Sequence, residues 1–232
     1  MRSVRMQLLV TLLATAVAAA LLIHRGLPPE MDVLDALTME RNDQVRRYIN
    51  WDIVMMGDSH EEEAAGLLHL AVSFGREDLV RYLINAGADL GYVIGQWGTP
   101  LVAATEGGHS RIAEELILAG AKVNVTAEYW GYSPLHWAAQ HKDERLVRLL
   151  LEHGADPDIA SAPTEGVTYL SSPATPLHLA VLEESIPIVT ILIQAGADVN
   201  VRSGDDRTPL SIAEEWDSKE IADLLRRHGA RQ

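Results

Sequence analysis

The sequence predicts an all-α repeat solenoid, built from helix–turn–helix units with projecting hairpins and preceded by one N-terminal hydrophobic helix. Three observations carry this reading. Two short phrases recur in phase along the chain, one starting with Thr-Pro or Ser-Pro and one centred on Gly-Ala. Between them, apolar residues fall at helical spacing. The first stretch, basic and then apolar on every face, stands apart from the rest.

That first stretch comes first in the chain. Arg2 and Arg5 precede an apolar run from Met6 to Ile23, broken only by Gln7, Thr11 and Thr15. Eighteen helical residues reach about 27 Å, close to the thickness of a hydrocarbon core. Residues 1–25 are therefore expected to be a signal peptide or a transmembrane anchor. Ala18-Ala19-Ala20 offers small residues for cleavage, whereas Leu21-Leu22-Ile23 continues the apolar run and favours retention. By the positive-inside rule, either outcome puts the remainder on the far side of the membrane. The membrane is then met only through residues 6–23, with 26–31 as a linker.

Composition bounds the rest. The chain of 232 residues has no cysteine, so disulfides, zinc–thiolate sites and thiol nucleophiles are excluded together. Past residue 25 there remain 16 basic and 33 acidic residues, a formal charge of −17. Such a charge repels nucleic acid and suits a basic partner. One Phe is present against five Trp and six Tyr, a bias typical of binding surfaces.

The first phrase reads Leu68-His69-Leu70-Ala71, Thr99-Pro100-Leu101, Ser133-Pro134-Leu135-His136-Trp137-Ala138, Thr175-Pro176-Leu177-His178-Leu179-Ala180 and Thr208-Pro209-Leu210. Thr or Ser before Pro is a helix N-cap followed by a proline at the first helical position, where no N–H is needed. The second phrase supplies Gly87, Gly120, Gly154, Gly196 and Gly229, spaced 33, 34, 42 and 33 residues apart. A glycine there suits a left-handed C-cap. Leu79, Val80, Leu83 and Ile84, and again Leu146, Val147, Leu149 and Leu150, mark a second helix in each unit. Gly66-Leu67 stands where Thr-Pro is expected, which weakens that cap. Glu61, Glu62 and Glu63 are read as lying on the first projecting turn. Pro187 is tolerated near a helix start. Lys219, Arg226, Arg227 and His228 form a polar face near the final helix end.

Both phrases and their period closely resemble the ankyrin repeat, whose pattern T-P-L-H-x-A is met in full at Thr175–Ala180. The resemblance covers residues 32–232. It implies a degenerate N-terminal capping repeat at 32–65 and five repeats at 66–98, 99–132, 133–174, 175–207 and 208–232, the last a C-terminal cap. The third carries an insertion of about nine residues between Gly154 and Thr175, a lengthened finger that is either functional or neutral.

The resemblance also implies a concave surface of hairpin tips and inner-helix ends that binds a partner protein. Its contact positions here are Phe74, Trp97, Glu106, Tyr129, Trp130, Tyr132, His141, Glu183, Glu215 and Trp216, with Ser73, Gln96, Gln140 and Leu182 beside them. Trp137 reads as core. For His69, His136 and His178 the resemblance implies a structural role, bonding neighbouring hairpins. There is no H-E-x-x-H, G-x-S-x-G, P-loop or dinucleotide fingerprint. No enzyme, metal or cofactor is expected. The function read from all this is an extracytoplasmic module, monomeric when free, on the periplasmic side of a bacterial inner membrane. It binds a basic protein, as an immunity or inhibitor protein, or alternatively serves as a membrane-tethered scaffold or stress-protection factor for an envelope enzyme.

Overall fold

The computed structural model describes residues 61–128, 131–162 and 173–231. The expected anchor, linker and most of the degenerate repeat lie outside these, as do Tyr129, Trp130 and the finger residues 163–172. Among the described residues there are ten α-helices and no strand. None is long and apolar enough to cross a membrane. The chain divides into two compact units, Met1–Tyr92 and Val93–Gln232.

In the first unit, α1 (Glu61–Ser73) and α2 (Glu77–Asn85) pack together. Leu68, Ala71 and Val72 are buried, as are Leu79, Val80 and Leu83. Two expectations are corrected here. Glu61, Glu62 and Glu63 lie within α1 rather than on a projecting turn, and Gly66 lies inside that helix rather than at its cap.

The second unit is two layers of helices. The inner layer is α3 (Pro100–Glu106), α5 (Pro134–Gln140), α7 (Pro176–Leu182) and α9 (Pro209–Glu215), each of seven residues. The outer layer is α4 (Ser110–Leu118), α6 (Glu144–Glu152), α8 (Ile186–Gln194) and α10 (Lys219–Arg227), each of nine. Neighbours touch within each layer and between layers. Helices this short are unstable alone, so packing and capping must hold them. Thr99, Ser133 and Thr208 cap with their side chains, accepting from the backbone of Val102, His136 and Ser211. Outer helices end as expected, with Gly120, Gly154, Gly196 and Gly229 at φ between 84° and 96°. The next amide reaches back into the last turn, as in Ala197 N–H to Leu192 C=O at 3.0 Å.

The expected hairpins are turns rather than strand ladders. One closes through Ser203 N–H to Arg207 C=O at 2.9 Å, another through Ala127 N–H to Tyr132 C=O at 3.3 Å. The finger is pinched shut at its base. Ser161 N–H donates to Ala174 C=O at 2.8 Å, and Ala174 N–H donates back to Ser161 Oγ at 2.9 Å. Ala162 N–H reaches Gly131 C=O of the preceding loop, and Gly204 N–H reaches Pro173 C=O from the following one. The insertion therefore leaves the register of the stack unchanged.

A second seam runs along the opposite loops. Asn124 Nδ2 donates to Gly154 C=O at 2.9 Å and its Oδ1 accepts from Asp156 N–H at 2.9 Å. Asn200 repeats both bonds two repeats later, to Gly229 C=O at 3.2 Å and from Arg231 N–H at 2.8 Å. Between them Asp158 makes only the accepting bond, from Asp198 N–H at 2.8 Å.

Two outcomes follow for stability. Asp158→Asn restores the missing donor toward Gly196 C=O and should stabilise the fold by about 0.5–1 kcal/mol, read as a shift in urea midpoint at constant slope. Gly131, at φ 68°, lies so close to Ala162 that a Cβ would collide with its carbonyl oxygen, whereas a Cβ at Gly154 (φ 84°) meets nothing within 4 Å. Gly131→Ala should therefore cost at least about 2 kcal/mol and Gly154→Ala about 1 kcal/mol in the same measurement.

Candidate functional site

The inner helices of the second unit all end at one edge, and their C-caps form a row: Gly107, His141, Glu183 and Trp216. Three of the sequence-predicted contact residues are thus placed at equivalent positions. Side chains tie the row together. His141 Nε2 lies 3.1 Å from Glu106 C=O, and Lys142 Nζ lies 3.3 Å from a Glu183 oxygen. Ser218 Oγ donates to Glu184 at 2.7 Å. His141 is exposed and stacks on the Trp137 ring at 6.0 Å. Trp216 is the most prominent member, 56% exposed at the end of α9. Glu215 beside it is exposed and paired with Arg207 at 3.1 Å.

Tyr132 is not part of this surface, contrary to expectation. It is 6% exposed, stacked on His136 at 5.2 Å and edge-on to Trp137 at 5.2 Å. Burial raises its hydroxyl above the usual tyrosine range. The reason is positional: Tyr132 immediately precedes the Ser133 cap, where the chain turns into the core and where Ala174, in the next repeat, is also buried. Trp137 is core, as expected. Trp97 is half-buried in a short 3-10 turn, Gly95–Trp97. Phe74, half-buried just past α1, belongs to the first unit. Tyr129 and Trp130 lie outside the described residues, as does the Gln96 side chain.

Sequence reading missed two features of the row. Lys142 and Arg207 supply counterions to Glu183 and Glu215, so part of the acidic charge is met within the chain. Each joins an exposed side chain to a half-buried one, and pairs so near the surface contribute little. Lys142, Glu184 and Asp217 also hold left-handed backbone, at φ 59°, 52° and 53°. Their signal was available, since they fall where Gly75 and Gly108 fall in earlier repeats. Among the described residues no group of three or more His, Asp or Glu could hold a metal ion. His136 and His178 do bond neighbouring loops, through Nε2 to Ala174 C=O at 2.9 Å and to Arg207 C=O at 3.1 Å.

Comparison with known proteins agrees with this architecture. The family model described as ankyrin repeats (3 copies) matches residues 66–161 and 164–232. An ankyrin repeat protein of fowlpox virus is 32% identical over 182 residues, which is 76% of this chain and 51% of that protein. The ankyrin repeat and SOCS box protein 5 of Oryctolagus cuniculus is 39% identical over 88 residues, 38% of this chain and 26% of that protein. An ankyrin repeat-containing protein of Treponema pallidum is 31% identical over 143 residues, 61% of this chain and 47% of that one. The chain therefore spans between about a quarter and half of the length of these relatives. Ankyrin repeats are protein–protein interaction modules, and this chain belongs to the ankyrin repeat family.

Proposed function

We propose that the chain binds a basic protein outside the cytoplasm through the row of inner-helix ends, as an immunity or inhibitor protein would. The observation that carries this is the row itself. An exposed Trp216 stands among Glu215, Asp217, Glu183 and Glu184, on a scaffold of capped helices that holds it without ordering cost on binding. A large aromatic flanked by carboxylates offers an apolar anchor and a guiding charge for cationic side chains. The net charge of −17 past residue 25 favours the same class of partner. The extracytoplasmic location rests on the apolar run 6–23 and the arginines before it. In this reading the chain catalyses no reaction.

The second reading is a membrane-tethered scaffold or stress-protection factor for an envelope enzyme. Leu21-Leu22-Ile23, which continue the apolar run past the small residues, favour it. Cleaving the anchor from the exported chain, after residue 25, separates the two. A free inhibitor keeps its effect, whereas a tethered scaffold loses it while the repeats stay folded.

The partner is to be captured with tagged full-length chain from its own membranes and identified by mass spectrometry. Trp216→Ala should then weaken binding at least about tenfold. Glu183→Lys with Glu215→Lys should weaken it further and flatten its dependence on salt. Binding equal to wild type in both variants would overturn the assignment of this row.

A further inference from the structure

The outer layer of the second unit carries one charge pattern twice, the second time with every sign reversed. Helices α6, α8 and α10 have nine residues each, and α8 touches both of the others. Stacked as repeats, they run side by side in one register. In α6 the first, second, fifth and ninth positions are Glu144, Arg145, Arg148 and Glu152, all exposed. In α10 the same positions are Lys219, Glu220, Asp223 and Arg227, also exposed. One helix reads minus, plus, plus, minus, and the other plus, minus, minus, plus.

Between them, α8 has no charged residue. On its outward side Pro187 is exposed, and Ile186, Thr190 and Ile193 are half-buried. Spaced four and three residues apart, these last three form one stripe along the helix. The flanking charges are mostly unmet within the chain. Among the described residues Glu144, Arg148, Glu152, Glu220 and Arg227 make no ion pair. Arg145 holds Glu114 at 2.7 Å yet stays 80% exposed, and Asp223 holds Arg226 at 3.1 Å yet stays 70% exposed.

We propose that this outer face binds a second copy of the chain, with the two α8 stripes meeting on a two-fold axis that runs along the helices. That axis keeps the helices parallel and lays α6 of one copy over α10 of the other. Glu144 of one copy then meets Lys219 of the other, Arg145 and Arg148 meet Glu220 and Asp223, and Glu152 meets Arg227. Symmetry repeats the same pairs on the other side of the apolar seam. A two-fold running across the helices is disfavoured. It sets Arg148 on Arg148, Asp223 on Asp223 and Glu144 on Glu152, all like charges.

Charge also selects a copy over a basic protein as the occupant. The four charges on each flank cancel, whereas the chain past residue 25 carries −17. A partner of one sign gains nothing from such a face, and two acidic chains repel least where their local charge is zero. Three helices about 10 Å apart, each about 13 Å long, offer on the order of 400 Å² per copy. A standard interface takes about 800 Å² from each partner, so the dimer is weak and forms with rising concentration. It stands in place of the free monomer expected from the sequence. It uses no residue of the row of inner-helix ends, and it holds whether or not that row binds a protein.

The chain has no cysteine, so a single introduced thiol forms a disulfide only between copies. Thr190, at the middle of α8, faces its own equivalent near the axis. Full-length Thr190→Cys under mild oxidation should give covalent dimer at least about tenfold faster than Arg111→Cys, placed off the axis on α4. Adding Arg148→Glu turns two attractions into two repulsions and should slow the Thr190→Cys reaction about tenfold. Adding Asp223→Arg as well restores opposite signs and should bring the rate back to within about threefold. Arg148 and Asp223 lie on helices separated by α8, so relief of one by the other acts between copies. Equal rates for Thr190→Cys and Arg111→Cys, or a loss at Arg148→Glu that Asp223→Arg does not relieve, would end the proposal. Sedimentation of the wild-type chain in detergent keeps the test decisive if a variant does not fold. Its mass should rise from one chain toward two with concentration, and the mass of one chain throughout would refute the dimer.

Discussion

An inner helix of seven residues cannot hold itself in water, and everything else in the second unit answers to that constraint. Its start is set by a Thr or Ser cap and a proline, which together satisfy or remove the first unpaired donors. Its apolar face is covered by the helices on either side. Leu101, Leu135 and Leu177 are fully buried and Leu210 nearly so, one in each successive inner helix. No repeat could bury that leucine alone, so stability passes from neighbour to neighbour along the stack.

The loops carry the same dependence at both edges. On one side the His136 and His178 imidazoles join cap to following loop. On the other, Asn124 and Asn200 join each loop to the end of the next outer helix. Such bonds satisfy backbone groups that a turn would otherwise leave open, at positions where the two loops already lie in contact. The insertion in the third repeat illustrates how strong this framework is. Extra residues are added between Ala162 and Pro173, yet the residues on either side keep their bonds to the loops before and after.

A rigid frame also explains what is left for binding. The helix ends at the row of C-caps have their last carbonyls met by the turn into the outer helix, with backbone in the left-handed region at Lys142, Glu184 and Asp217. Apart from His141, which bonds Glu106 C=O, side chains there are free to vary because the turn closes through backbone bonds. That is why an exposed tryptophan can stand at the end of α9 without cost to the fold, and why partner choice can change while the architecture does not.

Much of this was legible in the residue order. Thr175–Ala180 states a cap, a helix start and a histidine that bonds the next loop in six letters, and the spaced glycines state where each outer helix stops. These are local matters, decided by which backbone angles and donors a residue allows, and sequence determines them directly. Tertiary contact decided the rest. Tyr132 looks like a surface aromatic until the Ser133 turn and the helix behind it close over the ring. Glu61–Glu63 could be turn or helix until α1 has α2 to pack on. The solvation of Glu183 depends on Lys142 of another repeat. Exposure and electrostatic pairing belong to the neighbours a residue acquires on folding, whether in the next helix, as His136 and Trp137 are for Tyr132, or in another repeat, as Lys142 is for Glu183.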